Sequence, residues 1–517
     1  MRYQLGQAVG LGLALFVCGS AALAGEPSGV EPRYLEEAKA LAARIDQHVA
    51  AALNAQGIKP AGRASDGEFI RRAYLDVAGR IPDLTAARNF LDDRRPDKRL
   101  LWIEQLLADD RYVQHFANVW RAMLLPQAAD EMGRNFAPGF EAWLRDRLRS
   151  NTGYDKMVRE LLIPATPTNT NNGPFAFYLA QEQKPENLAA SVARLFLGVN
   201  LECAQCHPHP FARWKREQFW ELAAFFAPGS GAGRAKIPLP NSDKIVEARF
   251  LDGKEPSWER GAVPQAVLAD WITADDNPYF ARAAVNRVWA YFFGIGLIEP
   301  VDEPSDQNPP SHPELLDELA QEFRAHRYDL KYLIRGILAS AAYQRTSAAD
   351  GGPASSPRLL ARRAIRGLSP EQLLDSLTVA TGYATPDVAT SSNVVTPPNQ
   401  SPRAAFLAKF TAQGSRTETQ TSILQALHMM NGALVSRAVA HSVEADAVHY
   451  LSTVDYPANK ARAVDTLYVL VLSRQPRPEE IERVIRYVDR VPSNERGKAL
   501  GDVLWALLNS AEFMLNH

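Results

Sequence analysis

The stretch Leu201-Glu202-Cys203-Ala204-Gln205-Cys206-His207-Pro208-His209-Pro210-Phe211 places two thiols and an imidazole within reach of one small site. C-x-x-C-H is the spacing of covalent c-type haem attachment, in which two thiols a helical turn apart join the porphyrin and the next imidazole ligates its iron. Cys203 and Cys206 are then the candidate anchors and His207 the candidate proximal ligand. Other chemistries use the same residue types. A thiol pair at this spacing closes as a disulfide in an oxidising compartment. Cys203, Cys206, His207 and His209 could instead supply zinc or another divalent metal, with His209 as the alternative ligand. His207 and His209 lie closer together than a zinc-finger histidine pair, and Pro208 and Pro210 favour an extended segment with the two rings on opposite sides.

An electron-transfer haem iron takes a sixth ligand, usually Met or His. His428, Met429 and Met430 in QALHMMNG form the densest cluster of such residues, on an apolar run that also reads as core. His312 is a further candidate, and its setting between Ser311 and Pro313 also reads as the start of a helix. No distal ligand is assigned, which leaves a five-coordinate site open. The stretch DEPSDQNPPSHPE (302–314) groups Asp302, Glu303, Asp306 and His312, a set suited to Ca²⁺ or acid–base work or simply to a solvated loop. No G-x-S-x-G, H-E-x-x-H or phosphate loop occurs.

The elements that must position these residues read as helices. ENLAASVARLFLGV (186–199) leads into the cysteine motif and the aromatic run REQFWELAAFFA (216–227) leaves it. Their rings are the expected shelter for a cofactor. Upstream, YLEEAKALAARIDQHVAAAL, FIRRAYLDVAGRIPD (broken at Gly79 and Pro82), TAARNFLDD, KRLLWIEQLLADDRYVQHFANVWRAMLL and FEAWLRDRLRS carry helical spacing. Downstream, PQAVLADWITA and YFARAAVNRVWAYFFG resume it. Ser311-His312-Pro313-Glu314 and Ser369-Pro370-Glu371-Gln372 fit the capping-box pattern. RRAIR (362–366) alternates basic and apolar residues and reads as a helix face. Between 228 and 257 the composition turns to Gly, Pro and Ser, with KIVEARFLDG able to form a short hairpin. The expected architecture is mainly α: two helical domains, 25–228 and 263–517, joined by a Gly/Pro-rich linker at 229–262 with at most a short β-hairpin.

The first 24 residues differ from the rest. Arg2, an apolar run and Ala22-Leu23-Ala24 make a signal peptide, so the mature chain is expected to begin at Gly25, exported and periplasmic or associated with the cell envelope. Loss of Arg2 takes the net charge from −2 to −3, which gives no electrostatic footprint for nucleic acid. Of the three cysteines, Cys18 leaves with the leader, so Cys203 and Cys206 can form one bridge at most. No later apolar run of membrane-spanning length follows.

The segment ARLFLGVNLECAQCHPHPFARWKREQFWELAAFFA resembles the signature of a large bacterial family of exported proteins, domain of unknown function 1549, the second planctomycete cytochrome-type domain. RRAYLDVAGRIPDLTAARNFLDD and RLLWIEQLLADDRYVQHFANVW are similar to its opening helices. NPYFARAAVNRVWAYFFGIGLIEPVDEPSDQNPPSHPELL, SRTETQTSILQALHMMNG, LYVLVLSRQPRPEE and LLNSAEFML resemble its habitual companion, domain of unknown function 1553. The resemblance implies export and a co-encoded partner of sulfatase-like fold; it implies no activity. The family pattern places an acidic residue after the His-Pro-Phe and often one between the histidines. Here Ala212 and Pro208 stand there, which disfavours a carboxylate-bearing metal site and leaves haem attachment untouched. The expectation is an exported c-type haem protein with an electron-transfer or redox role, served by a redox partner. The alternatives are a non-redox envelope scaffold or carbohydrate-associated binding protein, with a disulfide- or metal-pinned turn, and a metal-dependent hydrolase.

Overall fold

The computed structural model describes residues 31–125, 131–164, 173–228, 235–305, 308–348, 356–382 and 446–517, with 403, 406–407, 429–430 and 432–440. The expected leader, Asp306 and His428 lie outside the described residues. What is described is mainly α-helical, with two short antiparallel strand pairs. Among the described residues no helix is long and apolar enough to cross a membrane.

Local sequence explains most boundaries. Helix α1 (Pro32–Ala55) buries Leu41, Ile45, Val49 and Leu53, four residues apart on one stripe. Helix α2 (Asp66–Ala78) starts where the Ser65 side chain accepts from the Glu68 amide and stops at left-handed Gly79. Helix α3 (Leu84–Asp92) follows. The long run from Lys98 is two helices, α4 (Lys98–Ala108) and α5 (Asp110–Leu124), because the Asp109 carboxylate turns back to the Arg111 amide and caps the second. Helices α6 (Glu131–Arg149), α7 (Tyr154–Leu162) and α8 (Ala176–Ala180) lead to α9 (Pro185–Phe196) and α10 (Arg216–Ala223), which flank the cysteine motif.

The hairpin forms between β1 (Lys236–Pro238) and β2 (Ile245–Glu247), so only the first half of KIVEARFLDG takes part. The stretch expected to be a linker is packed down. Ala235, Leu239, Ala248 and Leu251 are buried, and Phe250 stacks between Phe225 and Trp271 at centroid distances of 5.4 and 4.8 Å. Beyond it come α11 (Pro264–Ile272), α12 (Phe280–Phe293), α13 (Pro313–Ala325), α14 (Leu330–Ala339) and α15 (Ala341–Gln344). Helices α1 and α14 pack closely because Gly336 leaves room for the Leu41 side chain.

One large core therefore runs from Leu41 to Ala361, across both sides of the 229–262 stretch. A second core joins α16 (Pro370–Thr381) to the helices Lys460–Leu472, Pro478–Val488 and Arg496–Leu508, and takes in Leu75 and Ile81 from the N-terminal half. Of the two capping boxes, the one at Ser369 and Gln372 forms with both reciprocal bonds. The one at Ser311 does not. His312 is the N-cap of α13, because the Ser311 amide donates to the Leu297 carbonyl (2.7 Å) and its hydroxyl pairs with the His312 ring.

The two cores are tied by a buried charge knot. Arg366 is in β3 (Arg366–Gly367), which pairs with β4 (Leu515–Asn516) at the end of the chain. The Asp76 carboxylate of α2 accepts from Arg366 at 2.6 Å, Asn516 at 2.7 Å and the Tyr343 hydroxyl at 2.8 Å, and Arg363 approaches at 3.5 Å. Arg72 donates to the carbonyls of Tyr343, Arg345 and His517. Arg71 donates to those of Val471 and Phe513. RRAIR is thus not a helix face. It is extended, with Arg363 and Arg366 buried on a carboxylate nearly three hundred residues earlier.

Candidate functional site

Helix α9 ends at Phe196, and Gly198 two residues on, with a φ of +64°, turns the chain into the cysteine motif. A side chain there would meet Ala283 of α12 at 3.0 Å, so the crossing needs glycine. The Asn200 amide then donates to the Asp302 carbonyl at 2.8 Å, which joins the motif to the acidic loop. A 3-10 turn, Glu202–Gln205, follows. Cys203 lies within this turn and Cys206 caps its end. Leu201 and Ala204 are buried and hold the turn from within, and the Trp220 indole N–H of α10 donates to the Gln205 carbonyl at 3.0 Å. Both cysteines are free and exposed.

The two histidines take opposite roles. His207 is exposed, and its Nδ1 lies 2.8 Å from the Pro208 carbonyl oxygen. A carbonyl only accepts, so Nδ1 carries the proton and Nε2 keeps a lone pair. This is the second-contact arrangement that orients a metal-ligating imidazole. His209 is reversed: its Nδ1 accepts from the amides of Phe211 (3.2 Å) and Ala212 (3.0 Å). Its own amide donates to the Trp214 carbonyl at 2.8 Å. The His209 lone pair is therefore committed to closing the turn, and the expected extended segment is a series of bends.

The remaining candidates lie apart. His312 is 4% exposed, with Nε2 buried and without a hydrogen-bond partner. Burial pushes its imidazole below the ordinary histidine value, and His48 and Arg358 push the same way. Among the described residues no group of three or more His, Cys, Asp or Glu side chains assembles that could hold a metal. Met429 is buried as a core residue. The aromatic rings expected to shelter a cofactor face inward: Phe196, Phe219, Phe225 and Phe226 are all core side chains.

Beside the turn opens a cavity of about 470 Å³ that sequence reasoning missed. Phe211, Arg213 and Trp214 from the motif's tail form one wall, Tyr279, Arg282 and Asn286 of α12 and its approach form another, and Ile298, Val301, Pro304, Ser305 and Asn308 close it. The motif and the acidic loop, read separately in sequence, thus bound one space. The signal was present in Phe-Ala-Arg-Trp directly after the histidines, an aromatic–cation–aromatic run in a loop. None of Cys203, Cys206 and His207 lines the cavity.

Residues 44–230 match the family model described as PSCyt2, protein of unknown function (DUF1549), and residues 265–488 match PSD1, protein of unknown function (DUF1553). The chain carries the DUF1549–DUF1553 pair. The cysteine turn and the Arg71–Asp76 segment fall in the DUF1549 match, and Arg363 and Arg366 fall in the DUF1553 match, so the charge knot joins the two. Comparison with curated proteins and with solved structures gives no match.

Proposed function

We propose that this DUF1549–DUF1553 protein is an exported c-type haem carrier that exchanges electrons with a partner in the periplasm or cell envelope. The observation that carries the reading is the turn itself. Two unbridged, exposed thiols stand within and at the end of a 3-10 turn, and the next residue is an imidazole whose Nδ1 meets the Pro208 carbonyl. The donor set fits covalent haem: Cys203 and Cys206 would form the thioethers and His207 would be the iron ligand. When bound, the haem supplies one-electron redox chemistry.

The chain's own residues set the rest. The Pro208 carbonyl would hold the orientation of the His207 ring. Leu201, Ala204 and Trp220 keep the turn in place from beneath. Because the three attachment residues are exposed, a group held there is open to a docking partner, either a soluble redox protein or the co-encoded protein of sulfatase-like fold.

The test is expression in a periplasm with a c-type maturation system, followed by haem staining after a denaturing gel. A stained band that disappears in Cys203→Ala plus Cys206→Ala is the expected result. A colourless protein carrying a quantitative 203–206 disulfide, or stoichiometric zinc, overturns it in favour of a non-redox, pinned turn.

A further inference from the structure

We infer that a second cavity, bounded by α1, the approach to α4 and the segment from the end of α14 through α15, binds a monoester of a tetrahedral oxyanion, phosphate or sulfate, with a neutral or cationic body. It holds about 600 Å³, within the range of small-molecule sites and more than a bare ion fills. The stretches that line it, 39–46, 60–63, 96–100 and 339–345, lie wholly within the described residues. The lining carries four cations, Lys39, Arg63, Arg99 and Arg345, and two carboxylates, Asp46 and Asp97.

Two arginines set the place of the anion. Arg63 and Arg345 stand directly opposite each other in an antiparallel bridge. The Ala64 amide donates to the Gln344 carbonyl at 2.8 Å and the Thr346 amide to the Gly62 carbonyl at 2.9 Å. The two arginines are therefore a non-hydrogen-bonded pair, the register that brings side chains closest, and like charges so placed repel. Neither makes an ion pair among the described residues. Arg345 is 7% exposed, and among the described residues its guanidinium donates to the Leu360 carbonyl alone. The Arg63 guanidinium meets the Gln344 side-chain oxygen at 3.1 Å. Arg99 meets the same oxygen at 3.1 Å, but Asp66, at 2.8 Å, balances its charge. Arg63 and Arg345 thus leave two positive forks on one cavity with donors to spare. A planar carboxylate fills one fork, whereas the three terminal oxygens of a phosphate or sulfate ester serve both.

The carboxylates choose the body. Asp46 is spent: its two oxygens accept from the Ala341 and Ala342 amides at 2.8 and 3.0 Å and fix the first turn of α15. Asp97 stands at the N-cap of α4 without a side-chain capping bond, so its oxygens are available to a ligand. A second anionic group on the ligand would be repelled there, while a hydroxyl or an ammonium would donate. The frame behind the site is rigid, because Arg72 of the buried knot donates to the carbonyls of Tyr343 and Arg345. The inference does not rest on haem attachment, because none of the attachment residues lines this cavity.

Calorimetric titration of the full chain in low-salt buffer with inorganic phosphate, inorganic sulfate, acetate and the ethanolamine esters of both oxyanions tests it. At least one oxyanion should bind about tenfold tighter than acetate, the effect of filling the second fork. The tighter of the two names the ester. Its ethanolamine ester should bind about threefold tighter than the bare ion, through the ammonium at Asp97. Arg63→Gln should weaken that ester about tenfold, and Asp97→Asn should remove its advantage over the bare ion. Arg63 is exposed and Asp97 makes no capping bond, so thermal unfolding of both variants should match the parent. Arg490→Gln, exposed and outside the lining, should bind as the parent does. The site is overturned if neither oxyanion binds at about 10 mM, if acetate binds as tightly, if Arg63→Gln binds unchanged, or if Arg490→Gln loses as much. An ester no tighter than its bare ion overturns the assigned body.

Discussion

The knot at Asp76 and the turn at Cys203 are both built from polar and reactive side chains, yet the fold treats them in opposite ways. Asp76, Arg72 and Arg366 are fully buried and Arg363 nearly so, and their partners come from five separate stretches of chain: α2, 291–292, 343–345, 363–366 and 516–517. Cys203, Cys206 and His207 are exposed, and among the described residues the one hydrogen-bond partner of their three side chains is the adjacent Pro208 carbonyl. A buried charge depends on every one of its partners, because desolvation is repaid only by a complete set of contacts. An exposed thiol has lost no water and depends on nothing. The first arrangement holds architecture together, and the second keeps groups available to react.

The largest expected effect comes from breaking the knot. Asp76→Ala strands two buried guanidiniums and should cost about 3–5 kcal/mol of stability, read by urea denaturation. A loss below about 1 kcal/mol would mean that water or rearrangement supplies what the carboxylate does now, and the contrast with the turn would collapse. Next comes Gly198→Ala, at the entry to the turn. It forces a left-handed alanine against Ala283 and should cost about 1–2 kcal/mol. An unchanged midpoint would show that the entry is free to relax, so that the cysteine turn is less fixed than its hydrogen bonds imply.

How far each region could be read from sequence follows the same divide. The turn is local: Cys203, Cys206 and His207 are neighbours in the chain, and the flanking helices, with Gly198 between, show in the apolar spacing. Local signals also placed the end of α2 at Gly79 and the start of α16 at Ser369. The knot is not local. Nothing in RRAIR indicates that Arg366 will meet a carboxylate on α2, so its alternation resembled a helix face. Ser311 failed as a cap for the same reason, since a remote carbonyl, Leu297, claims its amide. The cavity escaped notice because its walls come from loops separated by more than sixty residues, joined only when Asn200 meets Asp302.

His312 sits between the two regimes, buried like the knot but lacking a partner for Nε2. Burial lowers its proton affinity in the folded protein, so in weak acid the unfolded chain binds the extra proton first. Stability is therefore complete above the ordinary histidine value of about 6.5 and declines as pH falls below it. His517, also held low by burial, adds a slope of the same sign. His312→Gln should remove part of that decline, measured as urea midpoints at several pH values. A variant that loses stability with acid as steeply as the parent would show that His312 finds a partner, water included, when protonated.

The smallest effect sharpens the contrast most. In reducing buffer, Cys203→Ser plus Cys206→Ser should shift the stability of the colourless chain by less than about 0.5 kcal/mol, as for any exposed substitution. The turn is held by Leu201, Ala204 and the Trp220–Gln205 bond, none of which the change touches. Under oxidising conditions the parent has another option, because a bridge closing so short a loop contributes roughly 2 kcal/mol in the chain-entropy model. Comparing the two buffers therefore separates the uses of the thiols. A parent that matches the double variant in both keeps its sulfurs for chemistry, while a parent that gains stability only on oxidation uses them as a staple. A loss in reducing buffer would break the comparison outright, for the turn would then need its thiols to fold, as the knot needs its carboxylate.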